Sequence, residues 1–524
     1  MDNYLGVMLD CSRNAVMKPK RLKEFIQLIK KMGYNTLMLY TEDTYEIESE
    51  PLFGYLRGRY TIEELQEIDD YCKDNGVELI PCIQTLAHLG LIFKFGHYAS
   101  IRDCMDVLLV DEEKTYALIE KMFQTLSKAF TSKRVHIGMD EAHWLGRGTH
   151  IDKYGYEQAK DLLLRHLNKV VSIAEKYGFQ PMIWSDMFAP VYKEFELTEE
   201  VKKNVPLQAS LVYWNYYSHT EDKYIKDIDN HLQFERELWF AGGAWKWHGF
   251  HAGNQKSIDT MTPAISVCRE KGIKNVLITM WGDDGNECPA NAVLPALLYI
   301  AELYRGNSDM QSIKEKFQEI VGESWDEFMQ LDLPMKDFPK GETFANGSKA
   351  MLYSDPFFGF FDNTVTEREG RAFAQMAEGL SKCKAKQGKY GYIFESMEYF
   401  ARLVAVKYEL GYWTRKHYIE GNKAKLRDLL AVYDNVVVLA EDYLDKFEEM
   451  WHIDNKPNGF EVHEIRIGGM IERVKRCRKR LEKYLCGKLD RIEELEEKLV
   501  ETEETRQGLP CWNLYKDTVT VNLF

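Results

Sequence analysis

Two adjacent acids, Asp140 and Glu141, follow a short apolar run in the stretch RVHIGMDEAHW, residues 134–144. A lone acidic pair after a strand ordinarily meets solvent or sits at a helix N-terminus. Held in one pocket, such a pair can move protons. Neighbouring negative charges disfavour joint ionisation, so one carboxyl keeps its proton towards neutral pH, as a general acid must. Consecutive strand residues point to opposite faces, so both acids reach one pocket only if the strand breaks there.

Tryptophans give the pair a context. Trp184, Trp214 and Trp281 fall at or near the ends of three other apolar runs, and Trp245 and Trp247 come just after a fourth. One buried Trp is most simply core. Three at one level, facing the same mouth as two acids, point instead to an aromatic box. Such a box packs the apolar face of a sugar and a methyl-bearing substituent, while acids take the hydroxyls. Asp10, Arg13, Glu42, Asp43, His88, Asp186 and Asp283 crowd the ends of the same runs. Two rival readings use these residues differently. His136, Asp140, Glu141 and His143 lie close enough in sequence for a metal-dependent hydrolase, but no second His group offers clear ligand geometry, and His136 inside the run reads as structural. A non-catalytic sugar-binding barrel is the other rival, and the presence of both acids and all three tryptophans argues against it.

The elements that would position these residues alternate through the first 300 positions. Apolar runs at 4–10, 34–40, 77–83, 134–140, 180–186, 209–214, 237–243 and 275–281 read as strands. Amphipathic stretches lie between them, including 19–32, 62–75, 112–129 and 156–177. Thr61 opens a capping box, and glycines in KKMGYN, KDNGVE, EKYGFQ and REKGIK mark helix ends just before strands. Eight strands, each followed by a helix-like segment, predict a (β/α)8 TIM barrel of class α/β, although the fifth and sixth connections look short or weakly helical. In that fold chemistry sits at the C-terminal ends of the strands, where the polar residues crowd.

Beyond residue 305 the strand signals fade. The stretches 309–331, 366–386, 391–418, 424–450 and 462–501 read as helices, so a catalytic barrel over 1–305 and an α-helical C-terminal domain over 306–524 are expected. The charged, periodic stretch 466–499 reads as a long helix packing on its own domain, or more sharply as a homodimer interface. The polar, aromatic residues 451–462 read as a turn between helices, with a loop reaching the site mouth as the alternative.

Composition sets bounds on the partners. With 45% hydrophobic and 29% charged residues the 524-residue chain is globular, and its net charge of −15 argues against nucleic acid or an anionic membrane. No apolar run is long enough to cross a membrane and no leader is read at the N-terminus. Ten scattered cysteines without a CxxC pair read as reduced thiols, so a cytoplasmic location is expected.

On these residues the chain resembles glycoside hydrolase family 20, the β-N-acetylhexosaminidases. HIGMDEAHW resembles that family's His-x-Gly-Gly-Asp-Glu signature, with Met139 in place of the second Gly. LGVMLDCSRN resembles the first-strand pattern whose arginine, here Arg13, holds sugar hydroxyls, and CIQTLAHLG the third-strand segment with a pocket histidine, here His88. MIWSD, LVYWNYY and MWGDDGNE resemble the segments that supply the tryptophan walls, Trp184, Trp214 and Trp281, with Asp283 where an acid binds outer hydroxyls. The seventh-strand segment lacks the family's acetamido-binding tyrosine; Tyr213 or Tyr216 could serve, and strand alternation favours Tyr216. The pattern looks closest to a shorter, bacterial intracellular branch without the α/β domain that commonly precedes the barrel.

The resemblance implies an exo-acting enzyme that removes terminal β-linked GlcNAc or GalNAc from oligosaccharides or glycoconjugates. It implies retention of configuration, with the substrate's own acetamido oxygen as nucleophile. Glu141 would protonate the leaving oxygen, and Asp140 would orient the acetamido group. Arg13, Asp283 and Glu287 would fix outer hydroxyls. No metal or organic cofactor is implied.

Overall fold

The computed structural model describes residues 3–188, 198–247, 249–332, 337–338, 342–343, 347–365, 367–499, 514–520 and 522. Eight parallel strands close into a barrel in sequence order. They are β1 (Tyr4–Asp10), β2 (Thr36–Tyr40), β3 (Glu78–Cys82), β4 (Arg134–His136), β5 (Gln180–Trp184), β6 (Ser210–Trp214), β7 (Leu238–Gly243) and β8 (Asn275–Met280). β8 closes on β1, with Tyr4 opposite Asn275 and Leu9 opposite Met280. The middles of β1 and β8 are apolar on both faces and buried throughout, as expected of parallel strands with the barrel interior on one side and helices on the other.

The helices start and stop where local chemistry directs. Pro19 opens the helix Pro19–Met32, and Gly33 closes it at φ 92, giving its N–H to the carbonyls of Ile29 and Lys30. The capping box at Thr61 is formed: its hydroxyl accepts from Glu64 N at 3.2 Å and Glu64 Oε2 accepts from Thr61 N at 3.0 Å. The helix between β6 and β7 runs over 12 residues, Glu221–Leu232, and is stronger than its sequence signal. Of the β5–β6 connection, residues 189–197 lie outside the described residues and Glu199–Asn204 is a short helix.

One departure from the expected strands bears on function. β4 ends at His136 instead of running to Asp140. Gly138 (φ 72), Met139 (φ 74) and Glu141 (φ 49) adopt left-handed backbone, which no strand accommodates.

The chain forms two compact units. The first comprises Met1–Ala244, Gln255–Trp281 and Ala296–Lys316; the second comprises Trp245–Asn254, Gly282–Pro295 and Phe317–Phe524. The second unit is therefore discontinuous and takes in segments that follow β7 and β8. Its frame is helical, built on Gly391–Lys407, Lys423–Asp454 and Phe460–Leu485. Two expectations are corrected here. The helix beginning at Lys423 runs through Trp451 to Asp454, leaving only residues 455–459 as a turn. Trp451 is buried against Phe447, Phe460 and His463, and its indole donates to Lys456 O at 3.0 Å, so the aromatic residues tie the helical hairpin together. The last long helix stops at Leu485, not near residue 499. Gly487 turns the chain at φ 73, and Glu494 on the returning segment pairs with Arg480 at 2.8 Å. The apolar face of that helix, including Ile467, Met470, Val474 and Leu481, is buried.

Candidate active site

The left-handed turn after β4 brings the acidic pair to one place. Gln84, two residues beyond β3 and wholly buried, holds this turn with all its polar groups. Its carbonyl accepts from Met139 N at 3.0 Å, while its amide donates to Asp140 Oδ1 at 2.7 Å and to the Tyr40 hydroxyl at 2.9 Å. A Cβ on Gly138 would come within 2.0 Å of Gln84 Oε1, so only glycine fits at that position. Opposite, Asp186 after β5 accepts from Glu141 N at 3.0 Å and is hydrogen-bonded by Trp214. Both carboxylates thus hang from backbone that is gripped by neighbouring strands.

Their electrostatic situations differ. His88 Nε2 lies 3.4 Å from Asp140 Oδ2 and 3.8 Å from Glu141 Oε2. Burial alone would raise the Asp140 pKa, but the His88 charge and hydrogen bonds from His88 and Gln84 outweigh it and hold Asp140 below its ordinary range. Burial likewise disfavours protonated His88, yet Asp140 reverses that and raises it to about 9. Glu141 goes the other way: burial and then the Asp140 charge raise it. Asp186 is raised further, to about 8, by burial and by Asp140. At neutral pH the pair is split into one firmly ionised carboxylate and one with increased proton affinity.

Aromatic rings line the same unit. Trp184 and Trp281 lie 6.0 Å apart, and the Trp281 indole donates to the Tyr216 hydroxyl at 3.0 Å. Tyr216 in turn stacks on Trp214 at 5.4 Å with an interplanar angle of 11°. Tyr40 meets Trp281 edge-on at 4.8 Å. Three tryptophans and Tyr216 therefore form one continuous belt. Tyr213 does not join it. Its hydroxyl donates to Asp227 on the helix Glu221–Leu232 at 2.8 Å, and its ring packs on His231 and Phe240. Strand alternation turns it away from the face of Trp214, so of the two tyrosines Tyr216 is the one in the belt.

On the β1–β2 side, Arg13 Nη2 pairs with Glu42 Oε1 at 3.0 Å. Glu42 also accepts from the Tyr40 hydroxyl at 3.1 Å, which links Arg13 through Tyr40 and Gln84 to Asp140. Asp43, by contrast, is engaged by Arg57. His136 is buried against Trp184 at 4.2 Å, and burial lowers its pKa to about 3, as befits a neutral structural histidine. No group of three His, Cys, Asp or Glu among the described residues is placed to hold a metal ion, so the cluster seen in sequence around His136 and His143 does not converge.

Asp283 and Glu287 belong to the second unit. Glu287, expected to bind hydroxyls, is buried and pairs with Lys349 at 2.7 Å. Asp284 pairs with the same lysine at 2.9 Å and with Arg466 at 2.7 Å, while His463 hydrogen-bonds Gly285 O at 2.9 Å. Asp283, at φ 40, is the residue immediately before this clamp.

Residues 3–269 match the model of the glycosyl hydrolase family 20 catalytic domain. The chain belongs to glycosyl hydrolase family 20. Residues 324–510 match the glycoside hydrolase 20C C-terminal domain, the helical part of the second unit. Hexosaminidase D of Homo sapiens is 26% identical over 213 residues, covering 39% of this chain and 43% of that protein. Hexosaminidase D of Bos taurus is 26% identical over 247 residues, covering 45% and 68%. The chain thus spans less than half the length of the human relative. A solved β-N-acetylhexosaminidase from Bacteroides fragilis is 18% identical, with a TM-score of 0.48 over 61% of this chain and 70% of that one.

The place where this family 20 chain departs from the signature now has a geometry. Met139 stands where the second signature glycine is expected, at φ 74, with its side chain wholly buried. The left-handed backbone explains the glycine; the Gln84 carbonyl on the Met139 N–H holds the turn despite a Cβ.

Proposed function

We propose that the protein is an exo-β-N-acetylhexosaminidase that removes terminal β-linked GlcNAc or GalNAc from oligosaccharides or glycoconjugates, with retention and substrate assistance. The observation that carries this reading is the split acidic pair beside the aromatic belt: Asp140 held ionised, Glu141 with raised proton affinity, and Trp184, Trp214, Tyr216 and Trp281 alongside.

In this scheme the aromatic belt folds the acetamido group beneath the sugar ring, replacing free rotation by a near-attack geometry. Asp140 accepts the acetamido N–H and opposes the positive charge that develops as the acetamido oxygen bonds to the anomeric carbon. Glu141 gives its proton to the departing glycosidic oxygen as that bond breaks, leaving an oxazolinium intermediate. Water then attacks the anomeric carbon, Glu141 takes its proton, and the acetamido group is restored with net retention. Arg13, itself oriented by Glu42, holds the outer hydroxyls of the terminal sugar. His88 keeps Asp140 ionised through both steps.

The test is hydrolysis of aryl β-N-acetylglucosaminides and galactosaminides together with inhibition by a thiazoline mimic of the intermediate. Turnover and strong thiazoline inhibition are expected, and Glu141→Gln should spare activated aryl substrates far more than natural disaccharides. A covalent adduct with a fluorosugar, alongside thiazoline indifference, would replace substrate assistance by an enzymic nucleophile.

A further inference from the structure

An exo-acting pocket accounts for the terminal sugar, but the leaving group must lie on the side from which Glu141 delivers its proton. The segment that follows Glu141 is fixed through its backbone. Asp103, buried after β3, accepts from Gly146 N at 2.7 Å, Gly148 N at 3.1 Å and His150 N at 2.9 Å. Cys104 Sγ donates to Trp144 O at 3.1 Å, and Arg147 N donates to the same carbonyl at 3.0 Å. A Cβ on Gly148 would lie 2.3 Å from Asp103 O, so the two loops meet backbone to backbone.

On this rigid turn, three residues beyond the proposed acid, Trp144 is 57% exposed. Met105, on the loop clamped to it, is 61% exposed with φ 46. Of the tryptophans in the described barrel, those of the aromatic belt are mostly covered, whereas Trp144 is exposed on backbone whose carbonyl is held by Cys104 Sγ and Arg147 N. A mobile exposed Trp would lose conformational freedom on stacking against a ligand; a pre-set one loses little.

We propose that Trp144 is the platform for the leaving-group sugar, so that the enzyme prefers substrates whose second residue is a pyranose ring with an apolar face. The proposal rests on the reading of Glu141 as general acid, because that role fixes the side on which the leaving group departs. Stacking on an indole face is of the size that changes an equilibrium by roughly tenfold.

The experiment compares wild type with Trp144→Ala and Trp144→Phe on an N-acetylhexosaminyl disaccharide, with thiazoline inhibition measured in parallel. Thiazoline occupies only the terminal-sugar pocket. Expected is a roughly tenfold rise in KM for the disaccharide in Trp144→Ala, an unchanged thiazoline inhibition constant, and recovery of most of the loss in Trp144→Phe. An unchanged disaccharide KM overturns the platform, and so does an equal weakening of thiazoline binding, which would mark Trp144 as structural. If wild type neither cleaves any N-acetylhexosaminide nor binds thiazoline, the parent reading falls and the platform falls with it.

Discussion

At the residue scale the site depends on one histidine between two carboxylates. His88 faces Asp140 at 3.4 Å, Glu141 at 3.8 Å and Asp106 at 3.9 Å, with Arg13 and Glu42 also felt through space. Because its pKa is raised from 6.5 to about 9, it stays protonated across neutral pH. Its contribution to stability is complete below 6.5 and is lost as pH rises through about 9. Asp140 has the opposite sign: its contribution is present above the ordinary Asp range and is lost on acidification. His88→Asn tests the coupling with little backbone cost, since residue 88 has φ 58 and Asn tolerates left-handed backbone. Removing the cation raises the Asp140 pKa, so the acidic limb of the kcat/KM profile should move to higher pH. At neutral pH kcat/KM should fall roughly tenfold, the equivalent of one charge contact of about 1.4 kcal/mol. An acidic limb that stays in place would show that Gln84 and the backbone alone keep Asp140 ionised. Gln84 itself is not legible in the sequence. A buried glutamine among apolar residues gives no sign of its partners, and those partners lie 44 and 56 positions away.

At the element scale the sequence is most informative where periodicity and termini agree. β1 and the helix Pro19–Met32 lie where their patterns place them, because an apolar run and a Pro-to-Gly frame each specify local structure. The pattern overextends β4, since HIGMD is apolar enough for a strand and only backbone dihedrals reveal the break. The stretch 451–462 reads as a turn because its Asp, Asn, Pro and Gly are turn residues and the packing partners of its aromatics are unseen. Met139 permits a quantitative test of the β4 turn. Met139→Gly relieves about 1–2 kcal/mol of left-handed strain. It also removes a wholly buried Met side chain, a loss of about 2–5 kcal/mol even for replacement by Ala. Burial wins, so the variant should be less stable by about 1–3 kcal/mol in chemical denaturation, even though it restores the family signature. Equal or greater stability would mean that relief of the left-handed backbone outweighs the loss of the buried side chain.

At the scale of the whole molecule, the second unit has a charged interior that sequence patterning does not reveal. Lys349 is 1% exposed and its ammonium group lies 2.9 Å from Asp284 and 2.7 Å from Glu287. The lysine sits on the helix Gly347–Tyr353, while both acids sit on the segment after β8, with Arg466 from Phe460–Leu485 as a second cation. Burial raises Glu287 despite Lys349, whereas the cations hold Asp284 below its ordinary range, so the cluster carries an ionised Asp at its centre. Removing one partner of a buried pair leaves an uncompensated charge, at about 3–5 kcal/mol, whereas neutralising both partners can be nearly free. Lys349→Met should therefore destabilise the unit by about 3–5 kcal/mol and speed amide exchange in residues 282–288 and 347–353. Adding Glu287→Gln to that variant should return much of the protection, because Asp284 keeps Arg466 as its cation and no buried charge then lacks a partner. Hydrogen exchange resolves the two units separately, which a single melting temperature would not for a chain of two compact bodies. If the single variant exchanges like wild type, Arg466 alone neutralises the segment, and the lysine fills space without holding charge.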